Sequence, residues 1–325
     1  FLITIIQNII AKHNIKDYTD EQKEELLSQI LERVKGVDIN PLSVLTARVG
    51  YMLAISPLLT GNNVFEIPVY LGDSAVTPQK ELVEDVECFK YDMASIQSDI
   101  NAIFPVKVVE NKEEFSQLIT FLAKLAKKGN EELLFEYLNE SVIRNVGKTN
   151  TQLELRMRDM IDQIIALNEN GWNGLWVKVI GNFIKMATIN NVDVVIGNPP
   201  WVKWEFLPST YAERIKAISI SRHLFSGQNY MGAISLNICA LIAHVTATTW
   251  LKTTGVLAFL MPKTILTQDS YEGFRNFIID ETTDERFYLQ KCVDWEKSGH
   301  PFIDMKESFL SYIYKRDYVD YSKGL

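Results

Sequence analysis

The sequence has few of the residues that mark several common classes of protein. It contains only 3 cysteines and 4 histidines in 325 residues. Cys88, Cys239 and Cys292 are far apart and none has a partner at metal-site spacing, so we predict reduced thiols rather than a disulfide framework. The histidines also lack metal-ligand spacing, and we expect structural or surface roles for them. Reduced cysteines and the absence of a visible signal peptide favour a cytoplasmic protein.

Long apolar runs and an excess of basic residues are also lacking. The longest apolar stretch, residues 234–247, is interrupted by polar residues and falls short of the roughly 18 residues of a membrane span, so we predict no membrane association. A net charge of −8 argues against strong nucleic-acid binding by this chain alone. Residues 201–325 contain 14 basic and 14 acidic side chains, so the excess of acidic side chains lies within residues 1–200. Any DNA substrate is therefore expected on the C-terminal side.

Short apolar runs alternate with helical segments in the first part of the chain. A capping-box pattern predicts a helix that begins after Thr19. The apolar run around Asp38 predicts a strand, and Pro41 suits the first turn of a following helix. Residues 64–71 predict a second strand, which ends just before Asp73. Strand, helix and strand in this order are typical of a doubly wound, Rossmann-like α/β sheet.

Between residues 76 and 190 this alternation stops. The apolar spacing instead predicts a series of amphipathic helices, at residues 81–103, 112–127, 131–145 and 151–168. We interpret this region as a helical insertion. The chain is therefore predicted to have three domains, namely a sheet domain at 1–75, the insertion at 76–190 and a second sheet domain at 191–325.

The sheet pattern resumes at residues 192–196, where a β-branched apolar run predicts a buried parallel strand. Proline fixes its own backbone and restricts the residue before it. Asn198-Pro199-Pro200-Trp201 should therefore form a stiff loop that holds an amide, a carbonyl and an indole in place. In open α/β sheets, ligands bind at the carboxyl ends of the strands. The sequence predicts a functional site in this loop.

The last part of the chain continues the α/β pattern. Helices are predicted at 209–219, 232–251 and 271–280, a buried strand at 256–262, and a terminal antiparallel pair at 287–296 and 308–314. Three basic residues could approach a phosphate group near the loop, but solvated side chains are the expectation for all of them. They are Lys203, Arg222 and Lys263.

The loop and the Val-Asp-Val-Val-Ile-Gly before it resemble motif IV of the gamma-class adenine-N6 DNA methyltransferases of restriction-modification systems, including type IIG-like enzymes that fuse methylase and nuclease. The resemblance implies a class I methyltransferase that transfers a methyl group from S-adenosylmethionine to a flipped adenine. The exocyclic amine is a poor nucleophile because its lone pair is delocalised. Asn198 and the carbonyl of Pro199 would accept its two hydrogens and position the lone pair, with Pro200 stiffening the loop. Trp201 would stack on the flipped base.

Other segments resemble the cofactor and substrate motifs of the same family. Asp38-Ile39 resembles motif II, whose acid binds the ribose hydroxyls of S-adenosylmethionine, since a carboxylate can accept both hydrogen bonds of a diol. Asp73 matches motif III, where the acid accepts from the cofactor's adenine amino group. Phe1 resembles the residue that follows the glycine-rich cofactor loop. Phe302 lies where the family places a second aromatic against the flipped base.

Two parts of the family pattern are not found, namely the Gly-x-Gly cofactor loop and the target-recognition domain. The resemblance therefore implies a fragment with a sheet incomplete at its N-terminus. It would bind double-stranded DNA mainly through an absent recognition domain, with an endonuclease or specificity module as a candidate partner. Three alternatives stay open: a protein-glutamine methyltransferase, an RNA-base methyltransferase, and a truncated non-catalytic scaffold of the same fold.

Overall fold

The computed structural model describes residues 1–61, 63–94, 99–167, 174–225, 236–296 and 307–324. The chain forms two compact units, which are described separately. The N-terminal unit contains Leu2–Asp73 and Thr77–Ile189, and the C-terminal unit contains Phe1, Ser74–Val76 and Asn190–Leu325. The division into three domains at 1–75, 76–190 and 191–325 stays a prediction.

The N-terminal unit contains helices together with two small sheets. Its helices are α1 (Leu2–Ala11), α2 (Asp20–Arg33), α3 (Pro41–Ile55), α4 (Val106–Glu110), α5 (Lys112–Ala126), α6 (Glu131–Val146), α7 (Thr151–Leu167) and α8 (Leu175–Met186). Its strands are β1 (Gly36–Asp38), β2 (Val69–Leu71), β3 (Gln79–Val83), β4 (Val86–Ala94) and β5 (Asp99–Pro105). Strands β1 and β2 form a parallel pair, and β3, β4 and β5 form an antiparallel sheet with β4 in the middle.

Local capping chemistry sets the start of the first helices. Thr19 accepts from the backbone N–H of Gln22, and the Gln22 side chain accepts from the N–H of Thr19, so the predicted capping box of α2 is confirmed. The side-chain oxygen of Asn40 accepts from the N–H of Leu42 at 2.9 Å. Pro41 occupies the first turn of α3, where a missing N–H has no consequence.

A small apolar core joins α1, α2 and α3 to the parallel pair. Ile6, Ile30 and Tyr51 are almost completely buried in it. The Tyr51 hydroxyl lies 3.0 Å from the carbonyl of Val34, at the end of α2, and can donate to it. Burial raises the pKa of Tyr51, so the hydroxyl stays protonated and a hydrogen-bond donor at any physiological pH.

The described residues between 81 and 103 belong to β3, β4 and β5 and to the turn between β3 and β4, so the prediction of a helix there is wrong. In β4 the side chains of Phe89, Tyr91 and Met93 are buried and alternate with Lys90 and Asp92. This period of two fits a strand with one face packed on the unit. The other helices predicted in this region, at 112–127, 131–145 and 151–168, are confirmed as α5, α6 and α7.

The C-terminal unit is built around one mixed sheet. Its described helices are α9 (Ser209–Ser221), α10 (Ile238–Thr249), α11 (Thr264–Thr267) and α12 (Glu272–Asn276), and its strands are β6 (Val192–Gly197), β7 (Leu251–Pro262), β8 (Ile278–Asp280), β9 (Glu285–Arg286), β10 (Tyr288–Asp294) and β11 (Phe309–Lys315). The sheet order is β10-β11-β7-β6, with β6 and β7 parallel and the other pairs antiparallel. The predicted terminal antiparallel pair is confirmed.

Two expectations for this unit need correction. The helix predicted at 271–280 ends at Asn276, because Phe277 takes a left-handed backbone with φ of 41° and β8 follows. Strand β6 is parallel as predicted but only partly buried: Val195 is 9% exposed, whereas Val194 and Ile196 are 54% and 44% exposed. Side chains alternate across a strand, and among the described strands β6 has one neighbour, β7. The face that carries Val194 and Ile196 is therefore exposed, and the edge of β6 away from β7 is free among the described strands.

The protein is thus a mixed α/β protein with a parallel strand pair in each unit. One described helical stretch, Pro41–Leu58, is long and apolar enough to cross a membrane by length and composition alone, with mean hydropathy 1.2. One such stretch is weak evidence, because core helices of soluble proteins pass the same test. Within it, Arg48 donates to the carbonyl of Val69 at 2.9 Å, which is a contact made inside the folded unit.

Candidate active site

The loop Asn198-Pro199-Pro200-Trp201 follows β6 directly, at the carboxyl end of that strand. The preceding Gly197 lies opposite Phe259 in the parallel ladder. A Cβ atom at this position would lie 3.2 Å from Cε1 of the Phe259 ring. Because the strand passes this close to the ring, glycine leads into the loop without displacing its neighbour.

Trp201 fastens the loop to the ends of two other strands. Its indole N–H donates to the carbonyl of Leu260 in β7 at 3.2 Å. Its ring centroid lies 5.6 Å from that of Phe309, the first residue of β11, with an angle of 41° between the planes. The side chain is half-buried. Trp201 therefore has a fixed edge and a partly open ring.

The other three loop residues differ in exposure. Pro199 is buried, whereas Asn198 and Pro200 are exposed. The Asn198 side chain makes no hydrogen bond to any residue that the structure describes. Its oxygen and nitrogen are therefore available to a ligand, and the proline that follows restricts the backbone from which they project. The catalytic roles of these residues stay predictions.

The segment after the loop is tied to the start of α10. The carbonyl of Val202 accepts from the N–H of Ile238 at 3.0 Å, and Lys203 pairs with Asn237 in an isolated antiparallel bridge. Asn237 is 4% exposed, and its own N–H donates to the hydroxyl of Tyr271 at 3.0 Å. These contacts hold the C-terminal end of the loop beside the start of α10.

Sequence reasoning missed three of these supporting residues. Phe309 begins the predicted terminal strand but lies on the face of Ser311, opposite the buried Leu310 and Tyr312. The alternation of that strand therefore gave no signal for its burial. Asn237 and Tyr271 carry no local signal, because their contact depends on how α10 packs. Burial raises the pKa of Tyr271, so its hydroxyl remains protonated beside Asn237.

In the N-terminal unit, Asp38 ends β1 and is exposed. Its Oδ1 accepts from the N–H of Asn40 at 2.8 Å, which fixes the carboxylate beside the start of α3. Its second oxygen has no partner within the part of the chain that the structure describes. The neighbouring Ile39 is 58% exposed. An oriented carboxylate with an open oxygen next to an apolar side chain can bind a polar ligand that also has an apolar face.

Asp73 lies at the same end of the parallel pair as Asp38. The N–H of Gly72 donates to the carbonyl of Asp38 at 3.0 Å, and Leu71 pairs with Asp38 in the ladder. Asp73 is 6% exposed. A Cβ on Gly72 would lie 2.7 Å from Sδ of Met186, so α8 packs closely on this turn. The structure therefore brings both predicted acids to one strand edge.

The remaining predicted residues have different outcomes. Phe1 precedes α1, is 64% exposed and belongs to the C-terminal unit, whereas Asp38 and Asp73 belong to the N-terminal unit. Phe302 lies outside the described residues. Among the residues that the structure does describe, no group of three His, Cys, Asp or Glu side chains is placed to hold a metal ion. All three cysteines are free thiols, as predicted.

The basic residues near the loop are not all solvated. Lys203 is exposed, as expected. Lys263 donates to Asp294 and Glu296, each at 2.9 Å, and the Glu296 hydrogen bond contributes most to raising its pKa. Arg222 is half-buried and donates to a threonine and a histidine of α10, so the expectation of a solvated side chain is wrong for it.

Comparison with known families finds a match. The model of the Eco57I restriction-modification methylase family matches residues 32–295. This span contains the Asn198 loop together with Asp38 and Asp73, and Phe1 and Phe302 lie outside it. A search of curated proteins finds no significant match.

Proposed function

Because this chain belongs to the Eco57I restriction-modification methylase family, and is thus of a DNA methyltransferase family, we propose that it methylates N6 of adenine, with S-adenosylmethionine as the methyl donor. The observation that carries the finer proposal is the Asn198 loop. An exposed amide with no hydrogen-bond partner among the described residues stands at a strand end, between a glycine that approaches Phe259 and an anchored indole. This arrangement suits an amine that must be oriented rather than deprotonated.

In the proposed reaction, the loop prepares the adenine amine for attack on the methyl group. The side-chain oxygen of Asn198 and the carbonyl of Pro199 accept its two hydrogens, which directs the nitrogen lone pair away from the ring. Acceptors that project from a stiff backbone can stabilise the developing positive charge with little reorganisation. The flipped base stacks on the open part of Trp201, and such stacking contributes about 1–3 kcal/mol per base.

We assign cofactor binding to Asp38, Ile39 and Asp73. The open oxygen of Asp38 suits a ribose hydroxyl, since carboxylates form strong charge-assisted hydrogen bonds. Exposed Ile39 offers apolar contact to the adenine ring of the cofactor, and Asp73 is proposed to accept from its amino group. S-adenosylmethionine supplies the electrophilic methyl group when it is bound.

We also propose a doubly wound, Rossmann-like topology for the protein. Two observations support it: each unit has a parallel strand pair, and in both the candidate residues lie at the carboxyl end of a strand. Ligand sites at this end are the rule in open α/β sheets.

The test is transfer of labelled methyl groups from S-adenosylmethionine to duplex DNA, followed by digestion to nucleosides. Removal of a fixed polar group from such a site typically lowers the rate by about 10²–10³-fold, so we expect that loss for Asn198→Ala. Asn198→Asp keeps a side-chain oxygen and should retain more activity. Asn101→Ala serves as the control, because Asn101 is exposed on β5.

The outcome also separates the proposal from its alternatives. Label in N6-methyladenine supports it. Label in protein or RNA but not in DNA would contradict it, as would equal activity of Asn198→Ala and the control. Thermal unfolding of each variant checks that a lost activity is not a lost fold.

A further inference from the structure

The C-terminal unit contains a second candidate site, a pocket of about 280 Å³ away from the Asn198 loop. It lies between the end of α9, the second half of α10 and the segment that begins with β8. The side chains used below are Arg222, His223, His244, Thr248 and Glu281. Ligand pockets for drug-sized molecules begin at about 300 Å³, so this pocket suits a small ligand.

The pocket and the loop lie towards opposite ends of α10. The helix begins beside the loop, where the N–H of Ile238 donates to the carbonyl of Val202. Thr248 lies ten positions further along the helix, which corresponds to about 15 Å along the axis. The pocket is therefore a separate site.

Arg222 forms the charged wall of the pocket. Its Nη1 donates to Oγ1 of Thr248 at 2.8 Å and lies 3.2 Å from Nδ1 of His244. Nε2 of His244 lies 2.7 Å from the carbonyl of Ile278, which can only accept, so Nε2 carries the hydrogen and Nδ1 accepts from Arg222. Burial lowers the pKa of His244 to about 4. Both partners of Arg222 are therefore neutral near pH 7.

The positive charge of Arg222 has no carboxylate partner among the described residues. Glu281 also lines the pocket, but its carboxylate lies 3.1 Å from Nδ1 of His223, and both of these side chains are about half exposed. A guanidinium has five N–H donors, and the two contacts described above use those of Nη1. The donors on Nε and Nη2 remain for a ligand. A half-buried cation without a counter-charge is costly, and a bound anion would offset that cost.

We propose that this pocket binds a phosphate group, from either the DNA backbone or a small phosphorylated molecule, with Arg222 as its main ligand. A planar guanidinium can donate two parallel hydrogen bonds to phosphate oxygens. Ser221 and His223 also line the pocket. The Ser221 hydroxyl donates to the carbonyl of Ile218, and Nδ1 of His223 faces the Glu281 carboxylate. The donors for the phosphate oxygens therefore come from Nε and Nη2 of Arg222.

The first experiment measures thermal unfolding of the full chain in increasing inorganic phosphate, with chloride at equal ionic strength as the reference. Phosphate should stabilise the wild type, and Arg222→Gln should weaken the apparent affinity at least tenfold. Glu281→Gln removes a negative charge from the exposed edge of the pocket and should increase the apparent affinity for phosphate about two- to fivefold. Arg286→Gln is the matched control, because Arg286 pairs with Asp284 and does not line the pocket.

Arg222→Gln and Glu281→Gln are expected to change the affinity for phosphate in opposite directions. The test therefore stays informative if Arg222→Gln folds poorly. In that case a gain in Glu281→Gln supports the pocket, and no gain contradicts it. Equal stabilisation of the wild type and Arg222→Gln, or no stabilisation of the wild type by phosphate, would overturn the proposal.

A second experiment identifies the source of the phosphate. Binding of duplex DNA is measured over a range of salt concentrations. If the group belongs to DNA, Arg222→Gln should reduce the slope of log affinity against log salt by about 0.9. An unchanged slope, together with lost protection by inorganic phosphate, assigns the pocket to a small phosphorylated molecule. Neither result depends on which base the protein methylates.

Discussion

Trp201 has two separable roles in the proposed site, and substitution can distinguish them. Its indole N–H anchors the loop to the carbonyl of Leu260, and its ring packs against Phe309 and would stack on a flipped base. Trp201→Phe removes the anchor and keeps an aromatic ring. Trp201→Ala removes both.

The expected stability changes follow from these contacts. A neutral hydrogen bond contributes about 0.5–1.5 kcal/mol, so Trp201→Phe should reduce the free energy of unfolding by about 1 kcal/mol. Loss of a fully buried large aromatic side chain costs about 3–5 kcal/mol. Since Trp201 is half-buried, Trp201→Ala should cost about half of that. Chemical denaturation of each variant measures both values.

Methyl transfer should separate the two variants further. Trp201→Phe retains stacking, so its KM for DNA should stay within about threefold of the wild-type value, while kcat falls because the loop is less fixed. Trp201→Ala should raise the KM by about 5–150-fold, the equivalent of about 1–3 kcal/mol of base stacking. Trp295→Phe is the control, because it removes an indole hydrogen bond to Ser311 in the same sheet. Equal KM values for Trp201→Phe and Trp201→Ala would refute the stacking role.

Two further predictions concern stability. A Cβ on Gly273 would lie 2.3 Å from the carbonyl oxygen of Phe225 and 2.5 Å from that of His223, and since backbone cannot move aside easily, Gly273→Ala should destabilise by more than about 3 kcal/mol in denaturant unfolding. The folded-state pKa of His244, about 4, is below the ordinary value of 6.5. Below pH 6.5 the unfolded chain therefore binds a proton that the folded chain does not, and stability should fall between about pH 6.5 and pH 4, by up to about 3 kcal/mol. His244→Gln should flatten unfolding free energy against pH over that range, and an unchanged slope would contradict this account.

Local chemistry explains which parts of the fold the sequence predicts well. The capping box at Thr19 and the proline at position 41 act through neighbouring residues, and both helices begin where these residues indicate. The sequence did not predict strands β3, β4 and β5, because the apolar and charged residues there fit the period of a helix as well as that of a strand. Strand pairing with distant segments decides between the two, and it places Phe89 opposite both Lys80 and Phe104.

At the candidate site, too, the sequence predicts only what neighbouring residues determine. The proline pair predicts a stiff loop, because its restriction is built into the chain. The contacts that hold the loop come from Leu260 and Phe309, which lie far along the sequence. No local pattern links Trp201 to these residues. Arg222 was expected to be solvated for the same reason, since its partners belong to another helix.

The free edge of β6 also bears on self-association. A strand with unpaired N–H and C=O groups along one side is a template for a strand of another molecule, and exposed apolar side chains such as Val194 and Ile196 strengthen that tendency. Asp193 interrupts the apolar run and pairs with Lys252 of β7. A charge in this position opposes the close approach of a second copy, since an incoming strand would have to bury it. The strand that presents the Asn198 loop therefore carries its own protection against aggregation, in a residue that the proposed chemistry does not use.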